Sequence, residues 1–321
     1  MGEPLTIFYN SFGSPDMYQM IRGHLGPGMA LVTLDSDDDA ERREKIAHCE
    51  VAIVAAKPLT APTIEAGSKL KLVHHQGVGY HDTIDMRALS ERALPLALTP
   101  DGTTISVAEH TVMLALAAAR RAAFADAELR QGRWHINALR PVSIELFGKT
   151  VGYIGFGRIG QETAKRFAAF GTRGYYFDPA AVVHNDINLA EPRDIDWIIE
   201  HADILSLHLP LTEATRHLIN AEVIGRMKQD AILINTARGG IVDDQALVAA
   251  LTSGKLLAAG LDVFEGEPIG QNHPLCALPN VVLTPHISAG TRDALSQKMA
   301  ALFANVARFQ RGEPLKNQVS Y

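Results

Sequence analysis

The chain is poor in cysteine: Cys49 and Cys276 are the only two, far apart and in no metal-ligand spacing. No disulfide framework is expected, and the usage fits a reducing cytoplasm. Long hydrophobic runs are missing as well. The longest purely apolar stretch, Val112 to Ala119, falls far short of the roughly 18 residues that a bilayer-crossing helix needs. The opening residues also lack the basic-then-apolar pattern of an export signal, so a soluble, unexported, cytoplasmic protein is the expectation. Nor is there an excess of basic charge. Thirty Lys and Arg against 36 Asp and Glu leave a formal charge of -6, and such a surface repels phosphate backbones. Neither nucleic acid nor membrane is an expected partner. Met1-Gly2-Glu3-Pro4-Leu5-Thr6 satisfies a loose myristoylation pattern, but the residues from Leu5 onward read as a first buried strand. Low-complexity tracts and short tandem repeats are absent.

What is present is an ordinary globular mixture, 47% apolar and 21% charged, in 321 residues, which at about 150 residues per domain suggests two domains. Short apolar runs alternate with helix-like segments through the first hundred residues: Leu5 to Tyr9, Leu31 to Leu34, Val51 to Ala55, Leu70 to His74 and Leu94 to Leu98. Runs this short, without polar alternation, suit strands of a parallel sheet covered on both faces. Between them, Ala40 to Ala47 and Ile84 to Arg92 have helical spacing. Thr103 to Arg120 reads as a long, almost wholly apolar helix that must be buried on most sides. It either crosses between domains, packs on a second subunit, or lies in the core of one domain.

A second βα series begins at Lys149, with runs at Val151 to Ile154, Tyr175 to Phe177, Ile204 to Leu207, Ile232 to Ile234, Ala258 to Val263 and Val281 to Leu283. Six such runs with crossovers make a doubly wound sheet. Thr291 to Arg311 reads as a last helix, stopped by Gly312.

The first chemical signal is Gly155-Phe156-Gly157-Arg158-Ile159-Gly160, directly after a strand and opening a helix. Gly155 permits the tight turn, Gly157 lets the backbone approach a pyrophosphate, and Gly160 lets helix and strand pack closely; the helix N-terminus attracts the anion. The next strand ends in Asp178, a carboxylate that suits a ribose diol and would repel a 2'-phosphate. Pro179-Ala180-Ala181 offers no arginine, so NAD is expected in preference to NADP.

The second signal is a trio, Arg238, Glu267 and His286, each just beyond a strand of the same sheet, where groups converge on the ligand crevice of an open α/β fold. Hydride transfer to a 2-oxoacid needs these three groups. An imidazolium protonates the developing alkoxide, a neighbouring carboxylate keeps that imidazole charged, and a guanidinium grips the substrate carboxylate. His286 is then the acid, Glu267 its partner and Arg238 the anchor.

With these residues the chain resembles the D-isomer-specific 2-hydroxyacid dehydrogenase family. The likeness extends to Gly148-Lys149-Thr150-Val151-Gly152, His208-Leu209-Pro210-Leu211-Thr212, Asn235 to Val242, Gly260-Leu261-Asp262-Val263-Phe264 and His273-Pro274-Leu275. It implies two parallel-sheet α/β domains with a cleft between them. A Rossmann cofactor domain at 102–289 would be inserted into a flavodoxin-like substrate domain formed by 1–101 and 290–321, and the molecule would be a homodimer. Arg238, Glu267 and His286 fall on the family's catalytic trio. The resemblance also implies that His208, Pro210, Thr215, Thr236, Ala237, Arg238 and His286 line the cofactor with the glycine loop and Asp178, and that Asp262 holds the nicotinamide carboxamide. Gly77, Val78 and Gly79 would grip the substrate carboxylate through backbone N–H groups, alongside Arg238 and His286.

One departure stands out: Gly77-Val78-Gly79-Tyr80-His81-Asp82-Thr83-Ile84-Asp85 carries an added or shifted residue against the usual Gly-Val-Gly-Tyr-Asp, which puts the loop geometry in question. His74, His75 and His81 cluster there, but in no metal-ligand spacing, and no metal is expected. Glu267 argues against the formate dehydrogenase branch, which has glutamine at that position. The expectation is an NAD-dependent oxidoreductase of a small 2-oxoacid such as glyoxylate, hydroxypyruvate, pyruvate or 3-phosphoglycerate's oxo form. Two rivals remain: an NADH-sensing corepressor-like binding protein on the same fold, and an S-adenosylmethionine methyltransferase, which would leave the trio without a task.

Overall fold

The computed structural model describes residues 3–55, 57–180 and 189–321; Met1-Gly2 of the myristoylation-like opening and Ala181 beyond Asp178 lie outside the described residues. The chain divides into two compact units, Met1–Thr103 with Thr291–Tyr321, and Thr104–Gly290.

The first unit holds five strands, β1 (Leu5–Tyr9), β2 (Met29–Val32), β3 (Val51–Val54), β4 (Leu72–His75) and β5 (Leu96–Leu98), in the order β2-β1-β3-β4-β5 with every pairing parallel. This is the flavodoxin-like order. Alternate residues serve opposite faces. Val51 and Ile53 join one apolar cluster with Met299, Leu302 and Phe303 of the final helix, whereas Ala52 and Val54 join another with Ile46, Ile64 and Leu89. Covering both faces in this way requires the continuous apolar runs seen in the sequence.

The second unit holds seven strands: β6 (Thr150–Ile154), β7 (Arg173–Phe177), β8 (Glu191–Pro192), β9 (Ile204–Leu207), β10 (Ala231–Asn235), β11 (Leu256–Leu261) and β12 (Val281–Leu283). Their order is β12-β11-β10-β9-β6-β7-β8, again all parallel. The strand order reverses at β6 and β9, which makes the loops after these two strands the switch point of a doubly wound sheet. Leu205 and Leu233 face one cluster, and Ile204, Ile232 and Ile234 face the other, together with Val112, Leu114 and Ala115 of the long helix Thr103–Ala119.

The sheet has seven strands where the apolar runs mark six. The extra one, β8, is two exposed residues long, too short and polar to leave a hydrophobic signature. Three expected strands are displaced: Leu34, Leu70 and Leu94 are buried but lie outside β2, β4 and β5, because an apolar run reports burial and not ladder pairing. The run at Ala258 to Val263 starts earlier, at Leu256, and pairs only to Leu261. The long helix buries nine of its residues, while Ile105 and Met113 are exposed in the single chain. The final helix spans Arg292–Gln310, capped by the Thr291 hydroxyl, which accepts the Ala294 N–H at 3.0 Å. Gly312 follows it at φ +71°, the left-handed conformation expected of a stop glycine. No helix among the described residues is long and apolar enough to cross a membrane.

Candidate active site

At the switch point of the second unit the glycine loop has the space its sequence implies. Gly155 stands at φ +90°, and a Cβ there would lie 2.3 Å from the carbonyl oxygen of His208. The two switch-point loops therefore touch through backbone alone. A Cβ on Gly160 would meet the Gly155 carbonyl oxygen at 2.6 Å, whereas one on Gly157 would meet nothing within 4 Å. Gly157 faces open space at the start of the helix Arg158–Ala168, and no side chain caps that end. The first N–H groups of a helix lack partners within it, so those of Arg158, Ile159 and Gly160 form a cradle for a phosphate-like anion.

Asp178, at the end of β7, ties this loop down. One carboxylate oxygen accepts the Phe156 N–H at 2.7 Å and the other the Ala180 N–H at 2.8 Å. Phe156 also stacks on Tyr176 with ring centroids 4.0 Å apart. In the loop after β9, His208 Nε2 lies 2.8 Å from the Ser206 hydroxyl; burial pushes this imidazole down to about 3, so it is neutral near pH 7. The loop turns at Thr215, whose hydroxyl donates to the Pro210 carbonyl at 2.7 Å and accepts the Thr212 N–H at 2.7 Å. A turn tied by backbone and hydroxyl, a neutral buried histidine and an uncapped helix end together fit a dinucleotide.

Two of the three trio residues touch. His286 Nδ1 lies 2.7 Å from Glu267 Oε2, and the other oxygen of that carboxylate accepts the Phe264 N–H at 2.8 Å. The pair is partly open, His286 being 46% and Glu267 30% exposed. The hydrogen bond to Glu267 raises the His286 pKa above 6.5, against the opposing effects of burial and of Arg238. Burial pushes the Glu267 carboxyl upward, but the His286 and Phe264 hydrogen bonds outweigh it and the group titrates below its usual range. Both shifts favour a charged pair near neutral pH. His286 itself sits at φ +51°, a left-handed conformation that is uncommon for a residue other than glycine and concentrates at functional sites.

Arg238 arrives from β10 on a turn held by Asn235, which donates to the Arg238 carbonyl at 2.8 Å and accepts the Ala237 N–H at 3.0 Å. The guanidinium, half-buried, donates to the Ala237 carbonyl at 2.8 Å. Gly239 brings this turn against the segment that carries Glu267: a Cβ at that position would lie 2.0 Å from the Phe264 carbonyl carbon and oxygen. Arginine and carboxylate turns are thus in backbone contact.

Asp262 is fully buried, and the protein itself engages both of its oxygens. One accepts the Thr284 hydroxyl and the Ile287 N–H, the other the Ser288 N–H at 2.8 Å. Its main-chain oxygen accepts the His286 N–H at 2.8 Å. Asp262 is therefore the centre of the turn that displays His286, a position the sequence alone does not reveal. Sequence reasoning also missed Ser106, His110, Thr284 and Gly239. The trace they leave is faint: two polar residues one helical turn apart in an apolar helix, and a glycine directly after the arginine.

In the first unit, the loop Gly77, Val78 and Gly79 follows β4. It is held by the Thr99 N–H, which donates to the Gly77 carbonyl at 3.1 Å, and by the Thr83 hydroxyl, which donates to the Gly79 carbonyl at 3.2 Å. The lengthened segment resolves into a turn in which the Thr83 and Ile84 N–H groups both donate to the Tyr80 carbonyl. The ring of His81 packs on Tyr80 with centroids 4.0 Å apart. His74 and His75 are engaged elsewhere, His74 with Asn305 at 3.0 Å and His75 with Thr83 at 2.9 Å.

Comparison with known proteins agrees with this arrangement. Residues 112–288 match the family described as D-isomer specific 2-hydroxyacid dehydrogenase, NAD binding domain. The chain is 44% identical over 266 residues to a hydroxypyruvate reductase of Thermotoga maritima, covering 82% of this chain and 85% of that protein. It is 42% identical over 283 residues to a D-3-phosphoglycerate dehydrogenase of Methanocaldococcus jannaschii, covering 87% of this chain but 53% of the relative, so it spans about half of that protein. Among solved structures it is similar to the D-lactate dehydrogenase of Escherichia coli, with a TM-score of 0.84, 26% identity and coverage of 98% and 99%. The family acts on small 2-oxoacids with NAD. The chain belongs to the D-isomer specific 2-hydroxyacid dehydrogenases, the NAD-dependent oxidoreductases of 2-hydroxyacids.

Proposed function

We propose that the protein interconverts a small 2-oxoacid of hydroxypyruvate or glyoxylate size and its D-2-hydroxyacid, with His286 as the general acid and base. The observation that carries this reading is the 2.7 Å contact between His286 Nδ1 and Glu267. It occupies one ring nitrogen with a carboxylate and leaves Nε2 to exchange a proton with substrate. Bound NADH supplies the hydride to the carbonyl carbon. The proton on Nε2 of His286 passes to the carbonyl oxygen as it gains negative charge, and Glu267 keeps the ring charged until then. Arg238 pairs with the substrate carboxylate through its planar fork. In the reverse direction neutral His286 removes the hydroxyl proton.

The glycine loop with Arg158 and Ile159, Asp178, His208, Pro210, Thr215, Thr236 and Ala237 would hold the cofactor. The second unit is then the cofactor domain and the first the substrate domain. Asp178 favours NAD over NADP, because a carboxylate already bound to two N–H groups would repel a 2'-phosphate. A cytoplasmic homodimer fits the free Cys49 and Cys276 and the apolar surface of Leu129, Trp134 and Ile136, with Trp134 75% exposed.

NADH oxidation measured against hydroxypyruvate, glyoxylate, pyruvate and phosphohydroxypyruvate tests the reading. At least one of the first two should be turned over with the highest kcat/KM, and His286→Ala should lower kcat about 10²- to 10⁴-fold, the usual worth of a positioned acid. Unchanged turnover in that variant would remove His286 from the mechanism.

A further inference from the structure

The turn that carries His286 is gripped from one side by the long helix Thr103–Ala119. Ser106 and His110 lie one helical turn apart on that helix and so share a face. The Ser106 hydroxyl donates to the Ser288 carbonyl at 2.6 Å, and His110 Nε2 lies 2.9 Å from the Thr284 hydroxyl. These contacts fall two residues to either side of His286. A hydroxyl has one proton to give, and that of Thr284 goes to Asp262 Oδ1. His110 Nε2 must therefore be the donor to Thr284. The chain of donation runs from His110 through Thr284 to Asp262, whose oxygens in turn hold the N–H groups of Ile287 and Ser288. His110 Nε2 also lies 3.5 Å from the Asp262 carboxylate.

The same helix reaches the arginine turn. Thr111 gives its proton to the Val107 carbonyl at 2.8 Å, so the Thr236 hydroxyl, 2.9 Å away, donates to Thr111. Thr236 stands two residues before Arg238. One helix thus touches both turns, that of the acid through Ser106 and His110 and that of the anchor through Thr111 on the adjoining face, and neither Ser106 nor His110 is a member of the trio.

We propose that Ser106 and His110 are positioning residues, which hold the left-handed turn at His286 in register with Glu267 through the Ser288 carbonyl and the Thr284–Asp262 pair. The proposal deepens the reading of His286 as the acid and rests on it. The αL backbone of His286 is the reason such a grip is needed: a non-glycine residue in that region persists only where its surroundings over-determine it. Burial lowers the His110 pKa despite the neighbouring Asp262, which keeps the ring a neutral Nε2–H donor around pH 7.

The test compares Ser106→Ala, His110→Ala and His110→Gln in the full-length protein. A displacement of about 1 Å at the reacting group costs on the order of 100-fold, so His110→Ala should lose roughly tenfold to 100-fold in kcat and Ser106→Ala a smaller factor in the same direction. The dissociation constant for NADH should stay within about twofold in each, since no cradle group has been altered. His110→Gln, which keeps a side-chain N–H donor, should recover most of the loss. The His286 ring should titrate lower in His110→Ala than in the wild type when followed by NMR of its ring nitrogens, because its register with Glu267 loosens. Unchanged kcat in both alanine variants overturns the proposal. So does a parallel loss of kcat, NADH affinity and melting temperature that His110→Gln does not rescue, which is the signature of general destabilisation. If the wild type reduces no 2-oxoacid, the reaction assigned to His286 fails; the NMR titration then decides the positioning role by itself, and an unshifted ring in His110→Ala refutes it.

Discussion

A histidine near the surface titrates close to 6.5 and gives up its proton too readily to serve as an acid above neutrality. His286 escapes this through Glu267, whose carboxylate is itself kept ionised by the Phe264 N–H and by the imidazole it faces. Glu267→Gln should therefore move the His286 pKa back down. In the reducing direction the active form is protonated, so the rate declines as pH rises through the His286 pKa. Lowering that pKa carries the decline to lower pH, and kcat at pH 8 should suffer more than kcat at pH 6. A pH series of initial rates on the variant reads the displacement directly, and coincident wild-type and variant profiles would show that Glu267 does not set the charge of the ring. The trio stands out in the sequence as a candidate because its members are chemically distinctive and each follows an apolar run; that His286 and Glu267 meet is visible only in the structure. The burial of Asp262 and its engagement with Thr284, Ile287 and Ser288 are not legible there, since a carboxylate after a strand reads alike whether it faces ligand or core.

At the level of elements, the site is a set of turns pressed together where side chains are missing. Gly155 lets the loop after β6 meet the loop after β9, and Gly239 lets the turn after β10 meet the segment after β11. Gly239→Ala should push the Arg238 turn off the Phe264 backbone, because the added carbon would lie 2.0 Å from the carbonyl of Phe264, a residue whose N–H is bound to Glu267. Overpacking of this kind costs about 1–3 kcal/mol. Thermal unfolding should detect that loss, and kcat/KM should fall roughly 100-fold through misplacement of Arg238; a variant with native stability and native kcat/KM would mean the two turns move independently. The glycine loop was legible because strand, spacing and helix recur together. Gly239 was not, because its requirement is the approach of a segment some 25 residues further on. The hold of Ser106 and His110 escaped for the same reason: a sequence displays helical spacing, but not which turn the helix covers.

Across the whole molecule, the strands of both sheets stand in the sequence as short apolar runs joined by crossovers, which report burial and not the order of pairing. What could not be read was the two-residue strand β8 and the points at which buried leucines leave the ladder, since neither changes the apolar pattern. The family, the nicotinamide cofactor and the 2-hydroxyacid chemistry now follow from the match over residues 112–288 and from relatives above 40% identity. In the proposed reaction one imidazole, that of His286, both gives and takes the substrate proton. The most direct measurement is kcat against pH for reduction of the preferred 2-oxoacid with NADH and for oxidation of the matching D-2-hydroxyacid with NAD, on the same preparation. The two limbs should be opposite, reduction falling and oxidation rising with pH, each with an inflection above 6.5. Limbs that run in the same direction, or profiles that persist in His286→Ala, would contradict it.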